Sequence, residues 1–184
     1  MKFILMFSLI MSVNSFAKDK MIKVLMQTNM GDVEIELNET LAPITVKNFL
    51  GYVDKKYFDG LVFHRVIKDF MLQGGGFDAQ MKQKSTGTAI KNEAKNGLKN
   101  EVGTIAMART QVVDSATSQF FINMKNNTFL NHKSPANFGY AVFGSVTKGM
   151  PILKKIENVK TKAMGGGHQN VPVKPVVIKT IKRM

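Results

Sequence analysis

One arginine stands out as a candidate for chemistry, because it sits inside an apolar run, Phe63-His64-Arg65-Val66-Ile67. The run predicts a strand, whose alternation puts Phe63, Arg65 and Ile67 on one face and Val62, His64 and Val66 on the other. A guanidinium sealed among apolar groups is costly, so Arg65 is expected to open onto a cleft. A salt bridge is the alternative, weakened by the scarcity of carboxylates, with only 13 Asp and Glu in the chain. Next, Phe70-Met71-Leu72-Gln73 points a thioether and an amide, Met71 and Gln73, to the same side. The triple glycine Gly74-Gly75-Gly76 resembles a phosphate cradle but lacks the Lys-Ser/Thr of a P-loop and opens no helical pattern. Gly165-Gly166-Gly167 reads as a flexible loop. His64, His132 and His168 stand at no metal-ligand spacing, and no nucleophile elbow is present. His64 therefore reads as a packing and hydrogen-bonding residue of the sheet. What remains is a cleft set: Arg65, Met71 and Gln73, with Phe120-Phe121 and Phe129-Leu130. It has an apolar floor and a guanidinium in its wall, and it suits an apolar group beside a carbonyl or amide.

The elements that must position this set are mostly strands. Met21–Gln27 and Asp32–Leu37 read as a hairpin across Thr28-Asn29-Met30-Gly31. In its second strand Val33, Ile35 and Leu37 alternate with Asp32, Glu34 and Glu36, as a half-buried strand requires. Pro43 opens a helix in which Val46, Phe49, Leu50 and Val53 form one apolar face. Further strands are expected at Leu61–Ile67, Phe70–Gln73, Gly103–Ala108, Gln119–Asn123, Tyr140–Val146 and Val176–Ile181, with Gly149-Met150-Pro151 opening a short helix through about Ile156. About eight strands, two helices and no βαβ rhythm predict a mainly β fold, an antiparallel sheet closed into a barrel with no exposed edges. The stretches Gly74–Val102 and Lys125–Phe138 are too long for simple turns, and long loops in a compact domain are usually functional or mobile.

At 184 residues the chain fits one domain, with no repeat or linker to divide it. Cysteine is absent, which excludes disulfides, thiolate zinc sites and cysteine nucleophiles. Residues 1–17 have the layout of a cleavable signal peptide: Lys2, the apolar run Phe3–Val13, then Ser15-Phe16-Ala17 ahead of Lys18-Asp19-Lys20. A buried first strand or helix is the weaker reading, because that charged cluster interrupts the segment at the expected cut. The run is too short to span a bilayer, and no cysteine at the cut offers a lipid anchor. Residues 18–184 then form a single domain. The net charge of +13 raises nucleic acid and anionic membranes as partners, but the lysines are scattered and no aromatic platform interleaves them. Solvated surface lysine is the preferred reading, without nucleic acid or a membrane anchor. All but three of the 26 basic residues are lysine, so Arg65 and Arg109 stand out as interior positions that could require a guanidinium.

Taken together, Phe63-His64-Arg65-Val66-Ile67 and Phe70-Met71-Leu72-Gln73-Gly74-Gly75-Gly76-Phe77 resemble the cyclophilin signature FHRxIxxFMxQGGxF. Met107-Ala108, Ser118-Gln119-Phe120-Phe121-Ile122 and Val142-Phe143-Gly144 follow in the family's order, and the likeness is greatest to bacterial periplasmic cyclophilins. The resemblance implies a closed eight-stranded antiparallel barrel capped by two helices. It implies peptidyl-prolyl cis-trans isomerisation without metal or cofactor, on proline-containing peptides and unfolded exported proteins. The enzyme is expected to be a periplasmic monomer, secretion being the alternative destination. Carried over by position, Arg65 is the catalytic residue, and Phe70, Met71, Phe121 and Leu130 form the proline pocket. Gln73, Ala108, Arg109 (through its backbone), Gln119 and Phe129 line the peptide groove, and Tyr140 stands where a histidine of the pocket is usual. Arg109 replaces an asparagine. Phe129 replaces a tryptophan associated with tight cyclosporin binding, which implies weak inhibition by that drug.

Overall fold

A computed structural model describes residues 19–184, so the expected signal peptide and its cut after Ala17 lie outside the described residues. Among the described residues there are ten strands and two α-helices. β1 (Met21–Thr28) and β2 (Gly31–Asn38) form the first hairpin, followed by α1 (Pro43–Asp54), β3 (Arg65–Ile67), β4 (Met71–Gly74), β5 (Thr104–Met107) and β6 (Phe120–Asn123). A 3-10 turn at Thr128–Leu130 precedes β7 (Val142–Lys148), α2 (Met150–Glu157), the small hairpin of β8 (Thr161–Met164) and β9 (His168–Pro172), and β10 (Ile178–Arg183). Eight strands make one antiparallel sheet in the order β10-β1-β2-β7-β5-β6-β4-β3.

The closed barrel expected from the sequence is not what forms. The sheet is open and strongly curled, a half-barrel whose edge strands β3 and β10 share no ladder. Only irregular main-chain contacts reach across: Val62 bridges Val177, and the Phe63 N–H donates to the Val176 carbonyl at 3.0 Å. The cause is local. The strand expected from Leu61 begins only at Arg65, leaving a three-residue edge strand too short to carry a ladder. The same irregularity overturns the expected face assignment. Phe63 is fully buried in the main core with Val66, while Arg65 and Ile67 lie on the other side of the sheet. The glycine cluster 165–167 forms the turn joining β8 to β9.

The helices behave as their patterns require. Val46, Phe49, Leu50 and Val53 of α1 are all buried. Phe49 sits 5.1 Å from Phe58, 5.7 Å from Phe120 and 5.2 Å from Phe143, ring centre to ring centre. This aromatic cluster fills the concave side of the sheet. The first turn of α1 is capped from a distance: the Glu93 carboxylate accepts from the Ile44 N–H at 3.1 Å and the Thr45 N–H at 2.7 Å. A carboxylate there satisfies orphan amides and opposes the positive end of the helix dipole.

Candidate active site

Strand register alone assembles most of the site. Arg65 pairs with Gln73, Gln73 with Phe121, Phe121 with Ala106, and Ala106 with Val142, one row running across five strands. Side chains of paired residues share a face, so this row projects outward from the core. The adjacent row, Val66, Leu72, Ile122 and Ile105, is buried in the main core. A slip of one residue would exchange the two rows, so burial of the core row fixes the position of Arg65.

On the outward face Met71, Ala106, Phe121 and Val142 form a second, small apolar cluster. Above it lies a cavity of about 130 Å³ lined by Arg65, Phe70, Met71, Gln73, Ala108, Arg109, Phe121, Leu130 and Tyr140. Nine of the eleven residues singled out in the sequence therefore meet around one hollow. The other two stand just behind it. The Gln119 side chain accepts from the Gln73 amide at 2.9 Å, and Phe129 stacks on Phe70 with ring centres 5.8 Å apart. Phe129 is 57% exposed, so it extends the rim instead of lining the hollow.

Arg65 is held loosely. Its one side-chain hydrogen bond, to Gln73 Oε1, is long at 3.4 Å, and none of the five ion pairs among the described residues includes it. Most of its five donors thus remain available to a ligand. The glycines beside it serve packing. Gly75 adopts φ 83°, and an added Cβ would come within 2.9 Å of the Phe120 ring, while at Gly76 it would strike the Gln119 side chain at 2.6 Å. Backbone thus approaches closely where the Gln119–Gln73–Arg65 chain must lie.

Residues that the sequence did not flag hold the opposite wall. Asn100 Nδ2 donates to the carbonyls of Leu130 at 3.2 Å and Tyr140 at 3.4 Å, and Asn127 Nδ2 donates to the Phe70 carbonyl at 3.0 Å. Asn123 joins them, donating to Asn100 Oδ1 at 3.2 Å and accepting from Asn127 at 2.8 Å. Buried amides that satisfy one another in this way rigidify a loop wall. The four-residue spacing of asparagines at 123, 127 and 131 was the available signal, though in a loop it suggests nothing helical.

His64 is buried behind the row, with its ring 4.7 Å from Phe77, and its Nδ1 has no hydrogen-bond partner. Burial pushes its imidazole down to about 4, and the neighbouring His168 adds to the shift. The unfolded chain takes up this proton near pH 6.5, whereas the folded one resists it until about pH 4. The stabilisation is therefore full above about pH 6.5 and is lost as pH falls toward 4, on the order of 3 kcal/mol. Urea midpoints measured from pH 7 down to 4 should fall, and His64→Gln should flatten that fall. An unchanged slope in the variant would remove His64 from the account.

Comparison with known proteins agrees with this geometry. The family described as cyclophilin type peptidyl-prolyl cis-trans isomerase/CLD matches residues 23–183. Peptidyl-prolyl cis-trans isomerase A of Dickeya dadantii is 52% identical over 168 residues, covering 91% of this chain and 87% of that protein. Isomerase B of Escherichia coli K12 is 51% identical over 156 residues, 84% of this chain and 94% of that one. A crystal structure of a cyclophilin-type isomerase from Cryptosporidium parvum superposes with a TM-score of 0.73 at 27% identity, covering 90% of this chain and 98% of that one. The same protein was solved in the presence of the dipeptide Ala-Pro.

Proposed function

The chain belongs to the cyclophilin-type peptidyl-prolyl cis-trans isomerases, enzymes acting on proline-containing peptides, and we propose that it works on exported polypeptides with Arg65 as its catalytic residue. The observation that carries the site assignment is the single outward row that sets the Arg65 guanidinium and the Phe121 ring around one small cavity.

Rotation about an X-Pro bond makes and breaks no covalent bond. Its barrier is the loss of amide resonance, which leaves the uncatalysed process taking tens to hundreds of seconds. In the twisted state the prolyl nitrogen becomes pyramidal and gains lone-pair density. A donor aimed there binds the twisted form more strongly than the planar one, which is the condition for acceleration. Arg65 supplies a permanently charged planar donor with free N–H groups. Phe121, Met71, Leu130 and Phe70 grip the ring, while Gln73, Gln119 and Ala108 flank the peptide. An isomerase assay on a proline peptide tests the assignment, and a rate no faster than the uncatalysed one would overturn it. Because no proton moves in the step, kcat should be nearly flat from about pH 6 to 9.

Export rests on the layout of residues 1–17, and the periplasm is the compartment it favours, with release to the medium as the alternative. Intact-mass analysis of the exported protein should give a chain beginning at Lys18, acting as a monomer. Retention of Met1 would end the export reading. Phe129, stacked and exposed at the rim, offers a smaller surface than an indole and no N–H. Cyclosporin should therefore inhibit weakly, and Phe129→Trp should strengthen inhibition by more than it alters peptide turnover. Equal inhibition of both forms would place drug affinity elsewhere in the groove.

A further inference from the structure

We propose that Arg109 makes the cavity selective for prolines adjoined by an acidic residue, a reading that rests on the isomerase assignment of this site. The cavity is lined by two guanidinium groups, Arg65 and Arg109, and by no carboxylate. Neither arginine takes part in any ion pair among the described residues. Asp114 and Glu93 lie outside the cavity lining and bond to backbone N–H groups, Asp114 to that of Asn92 at 2.9 Å and Glu93 to the first turn of α1. The cavity therefore carries positive charge with no carboxylate in direct contact.

Arg109 is also held in place. Its Nε donates to the Gly139 carbonyl at 3.0 Å, and one Nη donates to the carbonyls of Thr110 at 2.9 Å and Gln111 at 3.4 Å. The guanidinium carbon lies 4.7 Å from the centre of the Tyr140 ring, which in turn packs near-perpendicular to the Phe121 ring. These partners are all neutral, so they order the group without cancelling its charge. The second Nη makes no protein hydrogen bond among the described residues, which leaves a donor pair for a ligand oxygen. A preordered guanidinium loses little side-chain freedom on meeting a carboxylate, which the free Nη can hold by a charge-assisted hydrogen bond. A lysine or arginine beside the proline would instead meet two like charges, so the same feature discriminates against basic neighbours.

The test is NMR exchange kinetics on proline peptides carrying Glu, Gln or Lys immediately before the proline and, in a second set, immediately after it. At about 0.01 M salt, where charges act over roughly 30 Å, the wild type should favour Glu over Gln by about three- to fivefold in kcat/KM in at least one set. Lys should fall below Gln, the difference should sit in KM, and about 1 M salt should bring the ratio toward one. Arg109→Gln should abolish the Glu/Gln ratio measured within that variant, whereas Lys148→Gln, remote from the cavity, should keep it. The wild-type salt series decides the matter even if Arg109→Gln folds poorly. Equal turnover of Glu and Gln peptides at low salt in both sets would overturn the proposal. So would a ratio that survives in Arg109→Gln, since the overall positive charge of the protein would then be its source. Failure to turn over any peptide, Gln included, would overturn the isomerase assignment itself and this reading with it.

Discussion

Arg65→Lys is expected to lose nearly as much kcat/KM as Arg65→Ala, each on the order of 10²–10³, or about 2.7–4 kcal/mol. The reason is geometric, since lysine keeps the charge. Arg65 and Gln73 are direct cross-strand partners, and the guanidinium reaches Gln73 Oε1 at 3.4 Å with other donors left over. One arm can lean on the amide while another faces the prolyl nitrogen. An ammonium is a hydrated point charge on a flexible stem, which must be desolvated and ordered at every turnover. Arg65 is only part-buried and lies at the start of a three-residue edge strand, so both variants should fold. Matching circular dichroism spectra would confirm this before rates are compared. A lysine variant that kept most of the activity lost by the alanine variant would show that diffuse positive charge, not an aimed donor, is what matters.

How far such a site could be read in advance depended on the range of the contacts that build it. Met71 and Gln73 fall on one face by alternation, and Val46, Phe49, Leu50 and Val53 by helical spacing; in both cases the structure agrees because the determining geometry is local. Phe63 was misplaced because alternation assumes an unbroken strand, and this one starts only at Arg65. The closed barrel failed for the same reason, since closure needs an edge strand long enough to pair. The Glu93 cap of α1 joins residues 48 apart, and the Asn100–Asn123 contact joins residues 23 apart. No periodicity marks either in the sequence. The β8–β9 hairpin hid behind its composition: Thr161–Met164 is mostly exposed and offers little apolar alternation to read.

The largest stability effect should come from Phe120, the neighbour of a site residue. Phe120 and Phe121 are adjacent on β6 and point to opposite faces of the sheet. Phe120 is fully buried, its ring 5.7 Å from Phe49, 5.6 Å from Phe58 and 6.2 Å from Phe63, all near edge-to-face. Removing it leaves a hole where helix, sheet and loop aromatics converge, and those rings cannot all collapse inward. Phe120→Ala should cost about 3–5 kcal/mol, a large share of the roughly 5–15 kcal/mol that holds a typical domain. For a chain of this length the melting temperature should drop by roughly 6–20 °C. Where folded, the variant should keep much of its turnover, because the outward row from Arg65 to Phe121 is fixed by backbone pairing that the substitution does not touch. Phe121→Ala should show the opposite balance. It belongs to the small outer cluster and forms the floor of the cavity, so its loss should lower kcat/KM by about 10- to 100-fold through the missing ring contact. Thermal melts and kcat/KM measured on both variants separate the two roles. Should Phe121→Ala prove the less active but no less destabilised of the two, the outer cluster would count as a second core, and the division of labour between the faces of β6 would fail.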